Sequence, residues 1–525
     1  MKKQVKGIIG LGAVLAVLGG GLAFLKLTDD TGSDSSDTSS ASADPMVTTA
    51  AQGAGIVLVE DTTALPVPLD QAPQGDDHMH AVEGVVKSVD VVNSTGELHV
   101  VRGADREDGT PGYTLKGYED VTLDLSVNTI PNNANGLVSA SVIEENCQDL
   151  SKFGLEDPEI TAVLTYEDGV VRKYYVGIKN PASTTETYFM VDGSNTVYTV
   201  NNSSLANYYK SAEDFISRTI LEAPESTDDY PIVNELDIVR DDIDYDMVIK
   251  YGENSDDEKS GGTSATHELV EPVHAFLTVE RSTDVVTGMF GLTADDLYKV
   301  HCTEADIAGA GLSEPFCKVT MACGDGNTYV LLISEVFTEN ENERKCYVML
   351  EGGNIIYTIS ADKLKWLTLK PIDITSRLII ANYVWYIDKI TYKCGDSINE
   401  FEISPKDDTK DRYYSDASDF NVTRNGKAFD PERYRQLYSF LLKANGEDFA
   451  LDEEIPAGEP MVSIDLNDNY LNEKHSIQFY DYSAMTTLIV VDGEPKFFGS
   501  KSYAQTLVDN IKKLDTGEEY VLTWK

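Results

Sequence analysis

The chain has 525 residues, with 89 acidic and 42 basic side chains, so its formal net charge at pH 7 is −47. Hydrophobic residues make up 41% of the sequence, which is enough for packed cores and excludes a wholly disordered chain. The acidic excess argues against nucleic acid and against anionic lipid headgroups as partners, because both are bound by clustered Lys and Arg. The length predicts about three or four domains.

The N-terminus carries the pattern of a membrane anchor. Lys2, Lys3 and Lys6 precede residues 7–25, a run of 19 residues that are all apolar or glycine. As a helix this run would be about 29 Å long, roughly one bilayer core. The leading lysines predict a cytoplasmic N-terminus and an exported C-terminal body. A cleaved signal peptide is the alternative, although the residues directly after the run make a poor cleavage site.

A polar segment follows the apolar run. Residues 28–45 are rich in Asp, Ser, Thr, Gly and Ala, a composition that predicts a flexible tether rather than a packed core. With a proline-containing lead-in up to residue 81, this segment could span on the order of 40 Å. The sequence therefore divides into a cytoplasmic tip and transmembrane anchor (1–27), a tether and lead-in (28–81), and an exported body.

The body is predicted to be an internal repeat. Residues 153–158 (Phe-Gly-Leu-Glu-Asp-Pro) are echoed 157 positions later by residues 310–315 (Ala-Gly-Leu-Ser-Glu-Pro). The matches continue as far as Ser217-Arg218 and Ser376-Arg377, and a weaker third copy contains a Val-Asp-Gly turn at Gly493. The predicted domains are repeat module 1 (82–221), repeat module 2 (232–380) and a degenerate repeat module 3 (386–525).

Each copy has the same predicted elements. It opens with an alternating hairpin, and a helical stretch follows, as at residues 136–145. Four short strands come next, with hairpin turns at Asp168-Gly169 and Asp192-Gly193. A helix capped by Asn201 or Ser360 ends the unit. Turns this short make the strands antiparallel, so the predicted fold class is α+β, with repeated antiparallel sheet and helix modules behind one N-terminal transmembrane helix.

These motifs resemble a known family. The Gly-Leu-x-x-Pro element, the Asp-Gly hairpin, the Val-Tyr-x-Val strand and the Leu-rich closing helix are similar to those of the domain-of-unknown-function 4340 family, over residues 82–221 and 233–379. The resemblance implies a bacterial envelope protein with one N-terminal span and no assigned activity. Some relatives of this type are associated with ABC-type export systems, which implies such an exporter as a partner. The family supplies no catalytic residue.

One motif in the body resembles a catalytic signature. Ser360 and Lys363 fit the Ser-x-x-Lys pattern of penicillin-recognising enzymes, but the Ser-Asp-Asn and Lys-Thr-Gly companions are missing. Asn201 stands at the matching position of module 1, so a helix N-cap explains Ser360 better. The chain has no nucleophile elbow, zinc helix or phosphate-binding glycine loop. We therefore assign no catalytic, cofactor-binding or metal-binding residue, and we expect no cofactor.

Three polar segments are weaker candidates for cation binding. Residues 76–80 contain two Asp and two His, but neighbouring side chains rarely converge on one metal. Residues 241–246 contain four Asp at a strand turn, where solvated charge is expected and weak Ca²⁺ association is the alternative. Residues 465–469 begin like a calcium loop, but Tyr470 and Ser476 stand where Gly and Glu are required, so a plain hairpin is expected.

Cysteine, arginine and tyrosine give further expectations. The six cysteines show no Cys-x-x-Cys spacing, so buried free thiols and one or two disulfides are both open alternatives. Cys317 and Cys323 are expected on one strand face.

Arg218 and Arg377 are expected to stabilise helix C-termini and to pair with nearby acids, and binding of a carboxylate ligand is the alternative. The 28 tyrosines suit sheet faces, or they line a carbohydrate- or protein-binding surface.

The sequence predicts a non-enzymatic, membrane-tethered extracytoplasmic protein that binds or scaffolds components of the bacterial cell envelope. It is expected in the cell membrane as a single-pass protein, with a cytoplasmic N-terminus and an extracellular body. Expected partners are an envelope protein or wall component, including an ABC-type exporter, and the bilayer through the N-terminal helix only. The alternatives are an accessory subunit of an ABC-type export system and a cell-wall hydrolase with a carboxylate pair roughly 5 to 9.5 Å apart.

Overall fold

The structure is a computed structural model that describes residues 86–524, apart from 107–108, 135–136, 138, 168, 253–265 and 341–342. The described residues form two compact units, residues 86–96 with 130–209 and residues 97–129 with 210–524. The predicted anchor, tether and lead-in and the Asp168 turn position lie outside the described residues. Within the described part of the chain, no helix is long and apolar enough to cross a membrane.

Short strands with alternating burial dominate the chain. The first strands are β1 (Val86–Asn93), β2 (Gly96–Arg102), β3 (Tyr113–Leu115), β4 (Ser141–Glu144), β5 (Ile160–Tyr166), β6 (Val171–Lys179), β7 (Glu186–Val191) and β8 (Val197–Asn201). The next are β9 (Val233–Arg240), β10 (Met247–Tyr251), β11 (His267–Glu271), β12 (Ala275–Phe276), β13 (Asp296–Val300), β14 (Cys317–Cys323), β15 (Thr328–Ile333), β16 (Phe337–Asn340), β17 (Glu343–Leu350) and β18 (Ile355–Ser360). The last are β19 (Ile387–Cys394), β20 (Ser397–Pro405), β21 (Phe420–Arg424), β22 (Lys427–Phe429), β23 (Asp448–Phe449), β24 (Val462–Asp468), β25 (Glu473–Asp481), β26 (Thr486–Val491) and β27 (Glu494–Ser500).

Helices are few and mostly short. The α-helices are α1 (Thr129–Ala134), α2 (Asn202–Leu205), α3 (Val279–Val286), α4 (Glu304–Gly309), α5 (Pro371–Ile374), α6 (Pro431–Leu441) and α7 (Lys501–Thr516). The 3-10 helices are Leu125–Asn128, Leu150–Phe153, Ala206–Tyr209, Ala212–Phe215, Thr227–Asp229, Ala361–Lys363, Lys365–Leu367, Arg412–Tyr414 and Ala417–Asp419.

One strand order occurs three times in the chain. In the first unit it is β1-β5-β6-β7-β8-β4. In the second unit it recurs as β9-β14-β15-β17-β18-β13 and as β19-β24-β25-β26-β27-β23. The register pairs of these strands are antiparallel. The antiparallel α+β prediction is therefore confirmed for the described residues, while the exact domain bounds stay predictions.

The two sheets of the second unit are longer than this shared order. The sheet of β9 continues through β10 and β11 to an edge at β12, and β16 pairs with β17. The sheet of β19 continues through β20 and β21 to an edge at β22. Strands β2 and β3, which pair with each other, also belong to this unit.

The predicted helix at residues 136–145 is wrong. Helix α1 ends at Ala134, and Ser141–Glu144 is the strand β4 at the sheet edge. The buried Ser141 hydroxyl hydrogen-bonds to the hydroxyl of Thr199 at 2.7 Å. The β-branched pair Val142-Ile143 also favours a strand, so pairing across the sheet overrides a weak helical spacing.

The Gly-Leu motif of the repeat has a structural role. Gly154 and Gly311 have φ values of 66° and 71°, a left-handed conformation that favours glycine. The leucines that follow, Leu155 and Leu312, are buried in small hydrophobic clusters. In both copies the glycine ends a short helix, and the leucine that follows packs into the hydrophobic cluster of its own copy. This shared role explains the repeated motif.

The closing helices differ among the copies. Asn201 and Ser360 occupy N-cap positions as predicted, but neither side chain makes a capping hydrogen bond, and the helices behind them are single turns. The third copy ends in α7, whose Ser500 hydroxyl accepts from the Tyr503 backbone N–H at 3.3 Å. This longer helix buries one apolar face in the core of the third sheet.

The Ser-Arg dipeptides link backbone segments in the second unit. The Ser376 N–H donates to the Phe276 carbonyl at 2.9 Å, and the Arg377 carbonyl accepts from the Gly446 N–H at 2.9 Å. The earlier dipeptide makes the same two bonds: Ser217 donates to Thr122 at 2.9 Å, and Arg218 accepts from Ala294 at 2.8 Å. Each Ser-Arg segment thus joins the end of one set of strands to the start of the next.

A buried arginine stabilises the second sheet. The Arg240 side chain is 4% exposed and donates two hydrogen bonds to the Asp242 carboxylate, at 2.8 and 3.0 Å. It also donates to the carbonyls of Trp366 (3.1 Å) and Leu369 (2.7 Å). Charge-assisted bonds of this kind compensate for the desolvation of the guanidinium, which would otherwise be unfavourable.

Replacing Arg240 with alanine is expected to lower the free energy of unfolding by about 3 kcal/mol, because two buried carbonyls lose their donor. The matched control is Lys250→Ala, which removes an exposed ion pair with Glu235 and should cost less than about 1 kcal/mol. Trp366, Trp385 and Trp524 all lie in the second unit, so urea unfolding followed by tryptophan fluorescence measures this unit. Equal midpoints for the two variants would contradict the role assigned to Arg240.

Candidate functional site

A cleft of about 610 Å³ lies in the second unit, next to the Ser376-Arg377 segment. Its lining comes from the edge strand β12, from most of residues 376–386, from Tyr413, from Phe449 of β23, from the turn at Tyr470 and from the first residues of β25 and β27. A volume between about 300 and 1,000 Å³ is typical of small-ligand pockets. Within the described residues, this cleft is the strongest candidate for a binding site.

The chain that follows the two Ser-Arg dipeptides differs between copies. Residues 378–386 read Leu-Ile-Ile-Ala-Asn-Tyr-Val-Trp-Tyr, whereas residues 219–227 read Thr-Ile-Leu-Glu-Ala-Pro-Glu-Ser-Thr. Both copies form the same backbone bonds at the dipeptide. The nine residues after Ser217-Arg218 contain no aromatic residue, and Tyr230 follows only shortly before β9. The backbone bonds of the dipeptide therefore do not need aromatic residues directly behind it.

Four tyrosine rings along the cleft are in contact. The ring centroids are 5.6 Å apart for Tyr413 and Tyr383, 5.3 Å for Tyr383 and Tyr386, and 4.1 Å for Tyr386 and Tyr470. The two end rings, Tyr413 and Tyr470, are 58% and 57% exposed. Burial, followed by the neighbouring Tyr470 phenol, raises the pKa of Tyr386 to about 12. We call these four residues the tyrosine wall.

A hydrogen-bonded polar group supports the cleft beside the tyrosine wall. The Asn382 amide nitrogen donates to the carboxylates of Asp468 (3.0 Å) and Glu473 (2.9 Å). Asp468 is fully buried and also accepts from the Leu471 backbone N–H at 2.9 Å. The Tyr438 hydroxyl donates to the Asn382 carbonyl at 2.8 Å. These bonds fix the position of Asn382, and with it the start of the tyrosine wall.

The charges that line the cleft balance. Glu473 carries one negative charge and Lys496 one positive charge, while His274 and His475 are formally neutral. His475 lies between two carboxylates, with Nδ1 at 3.0 Å from Asp492 and Nε2 at 3.4 Å from Glu473. A protein of net charge −47 therefore presents a neutral cleft that combines aromatic and hydrogen-bonding groups.

The Ser-x-x-Lys residues do not form a nucleophile pair. The Lys363 ammonium donates to the Asp295 carboxylate at 2.5 Å, and the same carboxyl group accepts from the Ser360 backbone N–H at 2.6 Å. The Lys363 hydrogen bond holds the pKa of Asp295 below its ordinary value, against the opposing effect of burial. Lys363 thus stabilises this turn through an ion pair with Asp295.

The acidic segments have structural partners. The four Asp side chains of 241–246 are exposed, as expected for solvated charge, and the 47% exposed Asp242 carboxylate also pairs with the buried Arg240. The hairpin expected at 465–469 is confirmed, since β24 and β25 pair directly around that turn. Among the described residues, no group of three or more His, Cys, Asp or Glu side chains could hold a metal. Residues 76–80 lie outside the described residues.

The six cysteines are free thiols. Cys317 and Cys323 are both buried, in a strand where buried residues alternate with half-buried ones, as predicted for one strand face. Burial raises the pKa of Cys317 to about 12, and it raises the pKa values of Cys346 and Cys394 to about 11. Because the thiolate is the reactive form, these side chains are poor nucleophiles at neutral pH.

Both arginines of the repeat pair with acids as predicted. Arg218 contacts Asp296 at 3.2 Å, and Arg377 contacts Asp373 at 3.7 Å. Arg377 also donates to the Ile372 carbonyl at 3.1 Å, in the last turn of α5. The helix C-terminus prediction is therefore confirmed for Arg377.

Comparison with known families assigns part of the chain. Residues 117–276 match the family model described as domain of unknown function (DUF4340). This segment belongs to the DUF4340 family. The match confirms the resemblance given by the sequence motifs, but it begins just after β3 and ends with β12, so it covers parts of two predicted modules. No curated protein and no solved structure matches the chain.

The tyrosine wall lies outside the DUF4340 match and was not assigned from the sequence. The signal that could have found it is the contrast in the nine residues directly after each Ser-Arg dipeptide, where residues 378–386 contain three aromatic residues and residues 219–227 contain none. Tyr413 and Tyr470 gave no such signal, because they lie 27 and 84 residues beyond Tyr386 in the sequence.

Thiol labelling tests the cysteine assignment. A pKa of about 12 leaves Cys317 about a thousandfold less thiolate at pH 8 than an ordinary thiol of pKa 9.0. We expect the native chain to react slowly with a disulfide reagent, at a rate that rises with pH. After denaturation without reductant, six thiols should react. Fewer than six thiols would reveal a disulfide and contradict the structure.

Proposed function

We propose that the protein is a non-enzymatic, membrane-tethered extracytoplasmic binding or scaffolding protein of the bacterial cell envelope. In this proposal residues 1–27 hold the chain in the cell membrane, with the N-terminus in the cytoplasm. Residues 28–81 tether the extracellular body at a distance from the bilayer. The body binds an envelope protein or a wall component, without a cofactor.

The tyrosine wall is the observation that carries the binding proposal. Exposed aromatic residues offer large rigid contact areas at a low cost in conformational entropy, which is why tyrosine is common in recognition surfaces. Tyr413 and Tyr470 keep more than half of their surface exposed although each contacts another ring. The Glu473 carboxylate beside them, held in place by Asn382, supplies the directional hydrogen-bond acceptor that a specific site needs.

The cleft favours binding over hydrolysis. A glycoside hydrolase of the usual kind needs two carboxyl groups that face the scissile bond, one as acid and one as base or nucleophile. Glu473 is the one carboxylate among the residues that line the described cleft, and the Asp468 beside it is fully buried. Nothing in the cleft favours an accessory role in an ABC-type exporter over other envelope partners.

Site-directed photo-cross-linking in intact cells tests the binding proposal. A photoreactive phenylalanine analogue placed at Tyr413 is expected to form a covalent adduct with an envelope protein or a wall component. The matched control places the analogue at Tyr298, an exposed tyrosine in the second sheet that also packs on another ring, 4.2 Å from Tyr347. Adducts are identified by gel shift and mass spectrometry. Equal adducts from the two positions, or none from Tyr413, would contradict a binding role for the cleft.

Replacing residues 1–27 with a cleavable signal peptide tests the anchor. The exported body should then move from the membrane fraction to the soluble extracellular fraction, because the tether and the acidic body have no affinity for anionic lipid. Fractionation and immunoblotting measure the shift, and the unaltered chain is the control. Retention of the altered chain in the membrane fraction would mean that another part of the protein holds it there.

A further inference from the structure

The chemistry of the residues that line the cleft indicates the class of ligand that it binds, and this inference rests on the proposed binding function. We propose that the cleft binds a neutral glycan chain, whose sugar rings stack on the tyrosine wall while its hydroxyl groups hydrogen-bond to the Glu473 carboxylate. The wall is a row of four rings with its most exposed members, Tyr413 and Tyr470, at the two ends.

The charge balance of the cleft selects a neutral ligand. The chain as a whole carries −47, yet one Glu and one Lys are the charged residues of the described lining. A polyanionic ligand would be repelled by the net negative charge of the protein, and the described lining of the cleft offers it one lysine as a cationic partner. Nucleobases also stack on aromatic rings, but single-stranded nucleic acid requires a basic groove along its backbone.

The hydrogen-bonding groups of the cleft require donors from the ligand. The Glu473 carboxylate accepts hydrogen bonds and donates none, and its two protein partners are the Asn382 amide and, at 3.4 Å, His475. Sugar hydroxyl groups both donate and accept, and their apolar C–H faces pack on tyrosine rings. A site built around hydroxyl groups also discriminates strongly against ligands that lack them.

A peptide fits the same surface less well. Strand addition at β12 is blocked on the cleft side, because the Phe276 carbonyl already accepts from Ser376 and Leu277 pairs with Thr375. Proline-rich peptides do bind aromatic grooves, but proline has no backbone N–H and offers mainly acceptors. Such a peptide would leave the Glu473 carboxylate without a new donor.

Calorimetric titration of the full-length chain tests the ligand class. The protein is held in a polyoxyethylene detergent, because sugar-based detergents would compete for the cleft. The probes are two neutral β-linked tetrasaccharides, cellotetraose and tetra-N-acetylchitotetraose, and a proline-rich decapeptide. We expect saturable binding of at least one tetrasaccharide, about 3- to 10-fold weaker in Tyr413→Ala and in Tyr470→Ala.

Tyr298→Ala is the matched control, since it removes an exposed tyrosine from a ring pair at a distance similar to that of Tyr386 and Tyr470. Its affinity should equal that of the unaltered chain, and all variants should keep the same unfolding midpoint. Tetrasaccharide binding that Tyr413→Ala and Tyr470→Ala leave unchanged would overturn the site. Binding of the decapeptide alone would overturn the glycan class and leave the binding function intact. Failure of all three probes, with the Tyr413 cross-link still formed, would also overturn the glycan class but not the binding function.

Discussion

Edge strands need hydrogen-bond partners for their backbone groups, and this constraint determines how the second unit is arranged. An edge strand exposes N–H and carbonyl groups that must bind water or another chain segment. The Ser376-Arg377 segment fills this role, because its backbone bonds to Phe276 in β12, the edge strand of the second sheet, and to Gly446 just before β23, the edge strand of the third sheet. This double pairing fixes where the chain leaves the dipeptide. Residues 378–386 therefore run directly into the cleft.

Comparing the two Ser-Arg segments distinguishes residues that form the fold from residues that are candidates for binding. Both make the same backbone bonds, so the dipeptide and its hydrogen bonds belong to the framework of the repeat. Aromatic residues follow within nine positions after one of them, where Tyr383 and Tyr386 stand, but not after the other. Within a repeat, what all copies share serves folding, and what one copy adds is free to serve recognition.

The charge of the protein is distributed unevenly with respect to the cleft. Acidic residues give the chain −47, whereas the cleft lining is formally neutral. Part of the acidic excess is used in ion pairs and in the interior: the exposed Asp242 pairs with the buried Arg240, and the fully buried Asp468 accepts from Asn382. Asp468 shows why net charge alone does not tell which carboxylates are solvated, since its burial depends on Asn382, which lies 86 positions away in sequence.

The sequence by itself determined the antiparallel strands, the Asp192-Gly193 turn and the repeated order, because these depend on period-two alternation and on residues that accept a left-handed backbone. It also determined the membership of a segment in the DUF4340 family. Only the tertiary structure decided that Ser141–Glu144 is an edge strand, that Arg240 is buried, and that Tyr386 meets Tyr470. The physical reason is the same in each case: these contacts join residues from 58 to 129 positions apart, and no local pattern records such a distance.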